Sequence, residues 1–403
     1  MSTLLETPQR AKSTPPTASR ARLFTLDGWR EVRPFLIAWI ICLLCLQLVS
    51  TLNPTTIVSL DFRSFYAAGY LLRNDAAHLY DLEQENLIQK DLVSRGEVAL
   101  PYYHPSYEAL IYAPFSLLRY SAAYLAFQCF NLIIIFVVFF YARDLFSEVI
   151  PVWQPRPGLL FFSFLPFLFS ILQGQNLALL LMLYCIAWKQ IEKDKDERAG
   201  IILALALFKF QLTLPIALLI AVRRGRRFST GFMATGAIIV ALSIALIGRS
   251  ASASLVRLLV SGSLSQDQGL IKQVELAIHP SKMPNINGLL YMLGTRALNA
   301  HLAFVLVSAA SLGLLFWCIL LARKAQRENT AFAIAILCGM LVSNHLYIHD
   351  LTLLLLPIAL VGRKHPKIVF ALYALPPTLF MFAGSSSFPL LSVPMLAFLF
   401  VMK

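Results

Sequence analysis

The chain has 403 residues, of which 58% are hydrophobic and 14% charged, and its mean hydropathy is +0.70. A soluble chain carries about a quarter charged residues, so a soluble globular protein is excluded. The net charge of +13 invites a nucleic-acid partner, but the Lys/Arg excess gathers on the inner side of the topology drawn below, which is the positive-inside pattern of a membrane protein and not a nucleic-acid footprint.

Apolar runs of helix-spanning length recur from Phe35 to Met402. They predict an all-α polytopic bundle of 10–12 spans and exclude a β-barrel. Residues 1–34 precede the first run without the layout of a signal peptide. Rich in Pro, Ser, Thr and Arg between Thr7 and Arg22, they read as a disordered cytoplasmic tail. The membrane domain then occupies residues 35–403. Its first span, Phe35 to Leu52, follows Arg30 and Arg33, which puts the amino terminus inside; Asn53-Pro54 kinks the chain before Asp61.

An outer loop of about residues 53–108 is too long to be a connector. It carries two helix signals, Ser64 to Leu72 and a segment capped by Asp81 and stopped by Gly96, with an Asp91–Arg95 pair. Both are expected to lie flat on the membrane. Tyr107 to Leu118 is apolar but too short to span and reads as re-entrant. Ser121 to Tyr141 is a full span. Two pairs of short apolar arms follow: Leu159 to Leu172 with Leu177 to Trp188, and Ile201 to Phe208 with Leu212 to Val222. Their polar tips are Gln173-Gly174-Gln175-Asn176 and Lys209-Phe210-Gln211. Basic clusters bracket the pairs, which favours hairpins over a single span with Lys209 in mid-membrane. Beyond them come a span to Gly248, a second outer loop over about residues 249–300 with Lys272, His279, Lys282, Asn285 and Asn287, and spans at His301 to Ala322, Thr330 to Ser343, Leu351 to Val361, Ile368 to Ala383 and Leu390 to Met402. Cys42, Cys45, Cys129, Cys185, Cys318 and Cys338 all fall in apolar runs and read as packing residues, the Cys42-x-x-Cys45 pattern included. Neither a P-loop nor a dinucleotide fingerprint is present, so no nucleotide site is expected.

The polar residues that packing does not explain fall on the outer face: Asp61, Arg63, Tyr102, Tyr103, His104, Glu108, Gln173, Gln175, Asn176, Lys209, Gln211, Asn285, Asn287, His345, His349 and Asp350. Ionisable side chains at membrane depth are costly and mark function, so this set predicts one shared cavity. Asp61 follows the first apolar run. At a helix C-terminus the macrodipole disfavours a carboxylate and increases its proton affinity, which suits a general base; its bland alternative is a hydrated partner of Arg63. Lys209 either pairs with a carboxylate or binds a phosphodiester. His345 and His349 share a face if their segment is helical, and they are expected to hydrogen-bond a phosphate or a sugar. No third ligand stands at a fixed spacing and the acid of a His-Glu-x-x-His motif is absent, so neither a metal nor a cofactor is expected. Arg63, Tyr103, His104, Gln173, Gln175, Asn176 and Gln211 are the candidate sugar and acceptor contacts, with helix-packing contacts as the other reading.

Asp61-Phe62 through Tyr66-Ala67-Ala68-Gly69 and Leu79-Tyr80-Asp81 resembles the opening motif of glycosyltransferase family 87. Tyr103-His104-Pro105-Ser106 through Ala113-Pro114-Phe115 is similar to that family's Tyr-Pro-Pro stretch, with His104 in place of a proline. Gln173-Gly174-Gln175-Asn176 resembles its Gln-Gly-Gln-x-Asn motif, and Lys209-Phe210-Gln211 its Lys-Pro-Gln stretch. Ser343 to His349 resembles its late histidine region but lacks the proline and tryptophan found there. The resemblance runs from Asp61 to Pro357. It implies a GT-C fold in the cell membrane and an inverting, metal-free transfer of a sugar, mannose above all, from a polyprenyl-phosphate donor. It further implies a glycolipid or glycan acceptor on the extracytoplasmic side and a base at Asp61. Lys209, His345 and His349 would then face the donor phosphate. A transporter or lipid flippase is the alternative reading of the same polar residues, and a glycan polymerase or ligase the third.

Overall fold

The computed structural model describes residues 61–93, 99–149, 157–264 and 279–402, together with the single position 37. The expected cytoplasmic tail, most of the first span with Cys42 and Cys45, the Asn53-Pro54 kink, Arg95, Gly96 and Lys272 lie outside the described residues.

The outer loop folds as a small aromatic layer. Helix α1, Phe62–Asn74, buries Phe62, Phe65, Tyr66, Ala68 and Leu71 along one face, the three-to-four spacing of an amphipathic helix. A 3₁₀ turn at Ala76–His78 leads to α2, Leu82–Leu92, whose N-cap Asp81 accepts from the backbone N–H groups of Glu83 and Gln84. Helix α3, Ser106–Tyr112, spans only seven residues, and Pro114 and a 3₁₀ turn at Phe115–Leu117 end it, as expected of a segment too short to cross. The Phe65 ring stacks on Tyr112 at 4.7 Å, and Phe62 stacks on Phe127 at 5.2 Å. Each such pair adds roughly 0.5–1.5 kcal/mol beyond area burial. The apolar face of α1 is therefore spent on protein and not on a membrane surface.

Helix α4, Tyr120–Val149, runs about 45 Å. The chain then rises through α5, Pro157–Phe162, and α6, Leu165–Leu172, and reverses at Gln173–Asn176. It descends as α7, Leu177–Glu192. Side chains on α4 mark both ends of this hairpin. Near the tip, Gln128 Nε2 donates to the Ile171 carbonyl and Asn131 Nδ2 to the Gln175 carbonyl. Near the base, Lys189 Nζ donates to the Tyr141 carbonyl.

Helix α8, Asp196–Leu205, a 3₁₀ turn at Ala206–Lys209 and α9, Phe210–Arg224, follow. By length and composition Asp196–Arg224 passes for one 29-residue span, whose ends would stand about 42 Å apart as a continuous helix. Instead Arg224 Nε bonds Asp196 Oδ1 at 2.6 Å. The segment is a hairpin with Lys209 at its tip, as the basic clusters predict.

Helix α10, Arg226–Leu264, turns at Gly248. Its first half packs along α8 through Gly231 and Gly200, where a β-carbon on either would fall on a facing backbone carbonyl, that of Glu197 or Phe228. Small residues at a crossing let helix backbones approach where lipid offers no hydrophobic drive. Its far end carries Ile247, Ala251 and Leu258 onto the aromatic layer. The second outer loop carries α11, Ile286–Leu293; after it come α12, Ala300–Lys324; α13, Glu328–Val342; a 3₁₀ segment at Ile348–Leu354 with α14, Leu355–Val361; α15, Pro366–Ala383; and a 3₁₀ segment at Ser385–Leu391 with α16, Ser392–Val401.

Helix α13 is the centre, buried at every position from Ala331 to Leu341. Helix α12 is peripheral and leaves Phe304, Val305, Leu312 and Phe316 exposed, the surface a lipid-facing helix presents. Five stretches of the described chain are long and apolar enough to cross a membrane, and the chain is a multi-pass, all-α membrane protein. Gly231→Ala should overpack the α8–α10 crossing by about 2 kcal/mol and lower the melting temperature in detergent by several degrees. An unchanged melting temperature would contradict the contact.

Candidate active site

The tips of both hairpins, the start of α1 and the segment after α13 converge on one cavity of about 410 Å³. Its lining includes Asp61, Arg63, Tyr103, His104, Gln173, Gln175, Lys209, His345 and His349, residues separated by up to several hundred positions in the chain.

The tip Gln173–Asn176 places Asp61. Gly174 takes φ +70°, and a β-carbon there would stand 2.6 Å from Phe62 Cβ; only glycine meets both conditions without strain. This tight turn lets the tip hydrogen-bond the first residues of α1. The Phe62 N–H donates to the Gln173 carbonyl at 3.0 Å and the Asp61 N–H to Gln173 Oε1 at 3.1 Å. Asp61 is the N-cap of α1, so relative to this helix it stands at the positive end of the macrodipole and not at a negative one. The end of the preceding span, on which the sequence argument rested, lies outside the described residues.

Gln175 connects the two charged ends of the site. Its Nε2 donates to Asp61 Oδ2 at 2.8 Å, and its Oε1 accepts from Lys209 Nζ at 3.2 Å. Lys209 is buried and ion-paired to Asp350 Oδ1 at 3.5 Å. Asp350 is also buried; its Oδ1 accepts no hydrogen bond from the described residues, while Oδ2 accepts from the Tyr347 N–H at 2.9 Å. His349 closes the circuit, with Nε2 3.6 Å from Asp350 Oδ2 and Nδ1 4.0 Å from Asp61 Oδ2. Asp61, Gln175, Lys209, Asp350 and His349 thus form a ring of polar contacts in which one carboxylate, Asp61, is a third exposed and the other is sealed.

His104 is held from behind. Glu108, with no exposed surface, takes the Asn176 amide at 2.6 Å, the Tyr102 hydroxyl at 3.0 Å and His104 Nδ1 at 2.9 Å. The Phe208 carbonyl also faces His104 Nδ1, at 3.2 Å. Two acceptors on one ring nitrogen assign the proton to Nδ1. Asn176 is therefore spent on Glu108, and neither Asn176 nor Gln211 lines the cavity. Both were candidate sugar contacts with helix packing as the other reading; in the structure Asn176 bonds Glu108 and Gln211 is half-buried outside the cavity.

His345 stands in the loop after α13, and His349 in a 3₁₀ segment. The two do not share an α-helical face, which removes the spacing argument for a metal pair. Burial pushes the His345 imidazole down to about 4 against the opposing pull of Asp350, which favours the neutral ring.

Sequence reasoning missed the rest of the wall. Lys282, His279 and Tyr347 add polar edges, and Phe169, Phe380, Ser385 and Phe388 complete one side. Phe380 belongs to the span Ile368 to Ala383, where nothing but hydrophobicity was visible, and Ser385 and Phe388 to the short connection after it. Phe169 stands one helical turn before Gln173, the one signal that was available.

A family model for glycosyltransferase family 87 matches residues 102–357, more than half of the chain. The chain belongs to glycosyltransferase family 87. No curated protein and no solved structure matches it. Membership makes the chain a membrane glycosyltransferase with donor and acceptor substrates, and the transporter reading falls. The match covers both hairpin tips, Asp350 and the late histidines, but begins after Asp61.

Lys209→Met should destabilise the fold by about 3–5 kcal/mol, because it strands the buried Asp350 charge. Adding Asp350→Leu should recover part of that loss in chemical denaturation. Strictly additive losses in the double variant would show that the two side chains do not pair.

Proposed function

We propose that the protein is an inverting GT-C glycosyltransferase of the cell membrane, moving a sugar, mannose in the first instance, from a polyprenyl phosphate to a hydroxyl of an envelope glycolipid or glycan on the extracytoplasmic side. The observation that carries the reading is the partly exposed Asp61 carboxylate in the same cavity as the buried Lys209, with Gln175 bonded to both.

Asp61 accepts the proton of the acceptor hydroxyl. The freed oxygen attacks the anomeric carbon on the face opposite the phosphate. The carbon–oxygen bond to phosphate breaks, its electron pair stays on the phosphate oxygen, and polyprenyl phosphate departs. Arg63 and Lys209 supply positive charge in a partly dry cavity, where fixed cations stabilise a developing anion far better than in water. The exposed Lys282 adds a third cation at the edge. His345 and His349 hydrogen-bond the phosphate, and Tyr103, His104 and Gln173 contact the sugars. Phe169, Phe380 and Phe388 offer an apolar wall for the start of the prenyl chain. A leaving group with a single phosphate needs less charge neutralisation than a pyrophosphate.

The basic clusters support the proposed orientation. Lys189, Lys193, Arg223 and Arg224 lie at the hairpin bases, at the end of the bundle remote from Asp61, and positive-inside bias assigns that end to the cytoplasm.

Asp61→Asn should lower transfer about a thousandfold, within the range of a lost general base, with the melting temperature nearly unchanged. The assay is radiolabelled polyprenyl-phosphate mannose incubated with purified protein and membrane extract. Turnover by the variant close to wild type would overturn the base assignment. Gly174→Ala should also cut transfer, by about tenfold or more, because the strained turn moves both Gln173 and Gln175; full activity would show that the turn does not position Asp61.

A further inference from the structure

A second cavity, of about 1010 Å³, opens at the other end of the bundle. Three helices run from one cavity to the other. Helix α13 begins beside Arg327 and ends near His345; α15 begins beside His365 and carries Phe380; the last segment carries Ser385 and Phe388 at one end and Val401 at the other. Helix α15 alone has 18 residues, about 27 Å, so the two cavities open toward opposite faces of the bilayer.

The chemistry of the second cavity differs from that of the first. Lys324 from the end of α12, Arg327 from the turn before α13, and Arg363, Lys364 and His365 from the turn before α15 converge on it, and among the described residues its lining contains no carboxylate. No described carboxylate pairs with Lys324, Arg327, Arg363 or Lys364. Glu328, the nearest acid in the chain, is taken by Arg223 Nη2 at 2.8 Å and by Arg224. Behind the basic edge the wall is apolar, with Trp317, Leu321, Leu360 and Val401. Positive-inside bias alone scatters cations over loops; it does not gather them from two turns around an apolar recess between helices. A basic rim over an apolar recess at the membrane interface matches one ligand chemistry, a phosphate on an acyl chain.

We propose that this cavity is a binding site for an anionic phospholipid of the leaflet on that side, its phosphate held by Arg327, Arg363 and Lys364 and its acyl chain laid against Trp317. The cavity shares no lining residue with the transfer site, so the proposal does not rest on the reaction assigned above.

The test is native mass spectrometry and thermal melting of the full-length protein in detergent, titrated with dioctanoyl phosphatidylglycerol, dioctanoyl phosphatidylcholine or inorganic phosphate. Phosphatidylglycerol is expected to be retained and to raise the melting temperature, and the other two are not. Combined Arg327→Gln, Arg363→Gln and Lys364→Gln should weaken its binding by about tenfold or more, since each interfacial cation contributes about 1 kcal/mol. Arg226→Gln with Arg227→Gln, which removes two exposed cations outside the cavity, should change nothing. Equal binding of phosphatidylcholine, an equal effect of inorganic phosphate, or equal losses in the two variants would overturn the proposal. If the triple variant does not fold, the comparison of the three ligands on the wild-type protein decides.

Discussion

A buried lysine is the constraint around which this site is built. An unpaired ammonium at membrane depth costs several kcal/mol, and Lys209 is 2% exposed. The fold answers with Asp350 at 3.5 Å and Gln175 at 3.2 Å. Those two partners belong to different parts of the chain, so satisfying one cation ties the first hairpin tip, the second hairpin tip and the segment after α13 together. Gln175 passes the constraint on to Asp61. Once Lys209 is satisfied, the orientation of the amide follows, with oxygen toward the ammonium and nitrogen toward the carboxylate. The reactive geometry is thus a by-product of charge neutralisation.

The same logic explains the two-layer character of the site. Residues that touch the cavity, such as Asp61, His104 and Gln173, are held by residues that do not. Glu108 and Asn176 are fully buried and fix the His104 ring, while the buried Asp350 braces His349. Positioning groups of this kind cannot be told from ligand-binding groups by residue type, because an asparagine that orients a glutamate and one that holds a sugar hydroxyl look alike in a sequence.

Much of the architecture was legible in advance for a physical reason: lipid forces backbone satisfaction within helices, so hydropathy alone reveals the elements. The reversal at Lys209 was readable because charge clusters on both sides of a short apolar pair require it, and the Asp196–Arg224 contact shows it. Asp81 announced its capping role through its position before α2. What was not legible depends on contacts between distant segments. Asp61 was placed at the end of the first span, but its place at the start of α1, bonded to the Gln173 tip, depends on a contact between distant segments. His345 and His349 looked like a helical pair, whereas the backbone there is a loop and a 3₁₀ turn. Phe380 and Phe388 carried no polar signal, and only tertiary packing brings them to the cavity wall.

The central claim is that one carboxylate facing a cationic cavity carries out a direct displacement. A retaining reaction would need a nucleophile positioned at the anomeric carbon and a second displacement, and the ring gives that role to no other exposed acid. The most direct measurement is the anomeric configuration of the first product, read by NMR against that of the donor. The account predicts the opposite anomer. A product that keeps the donor's configuration would contradict it.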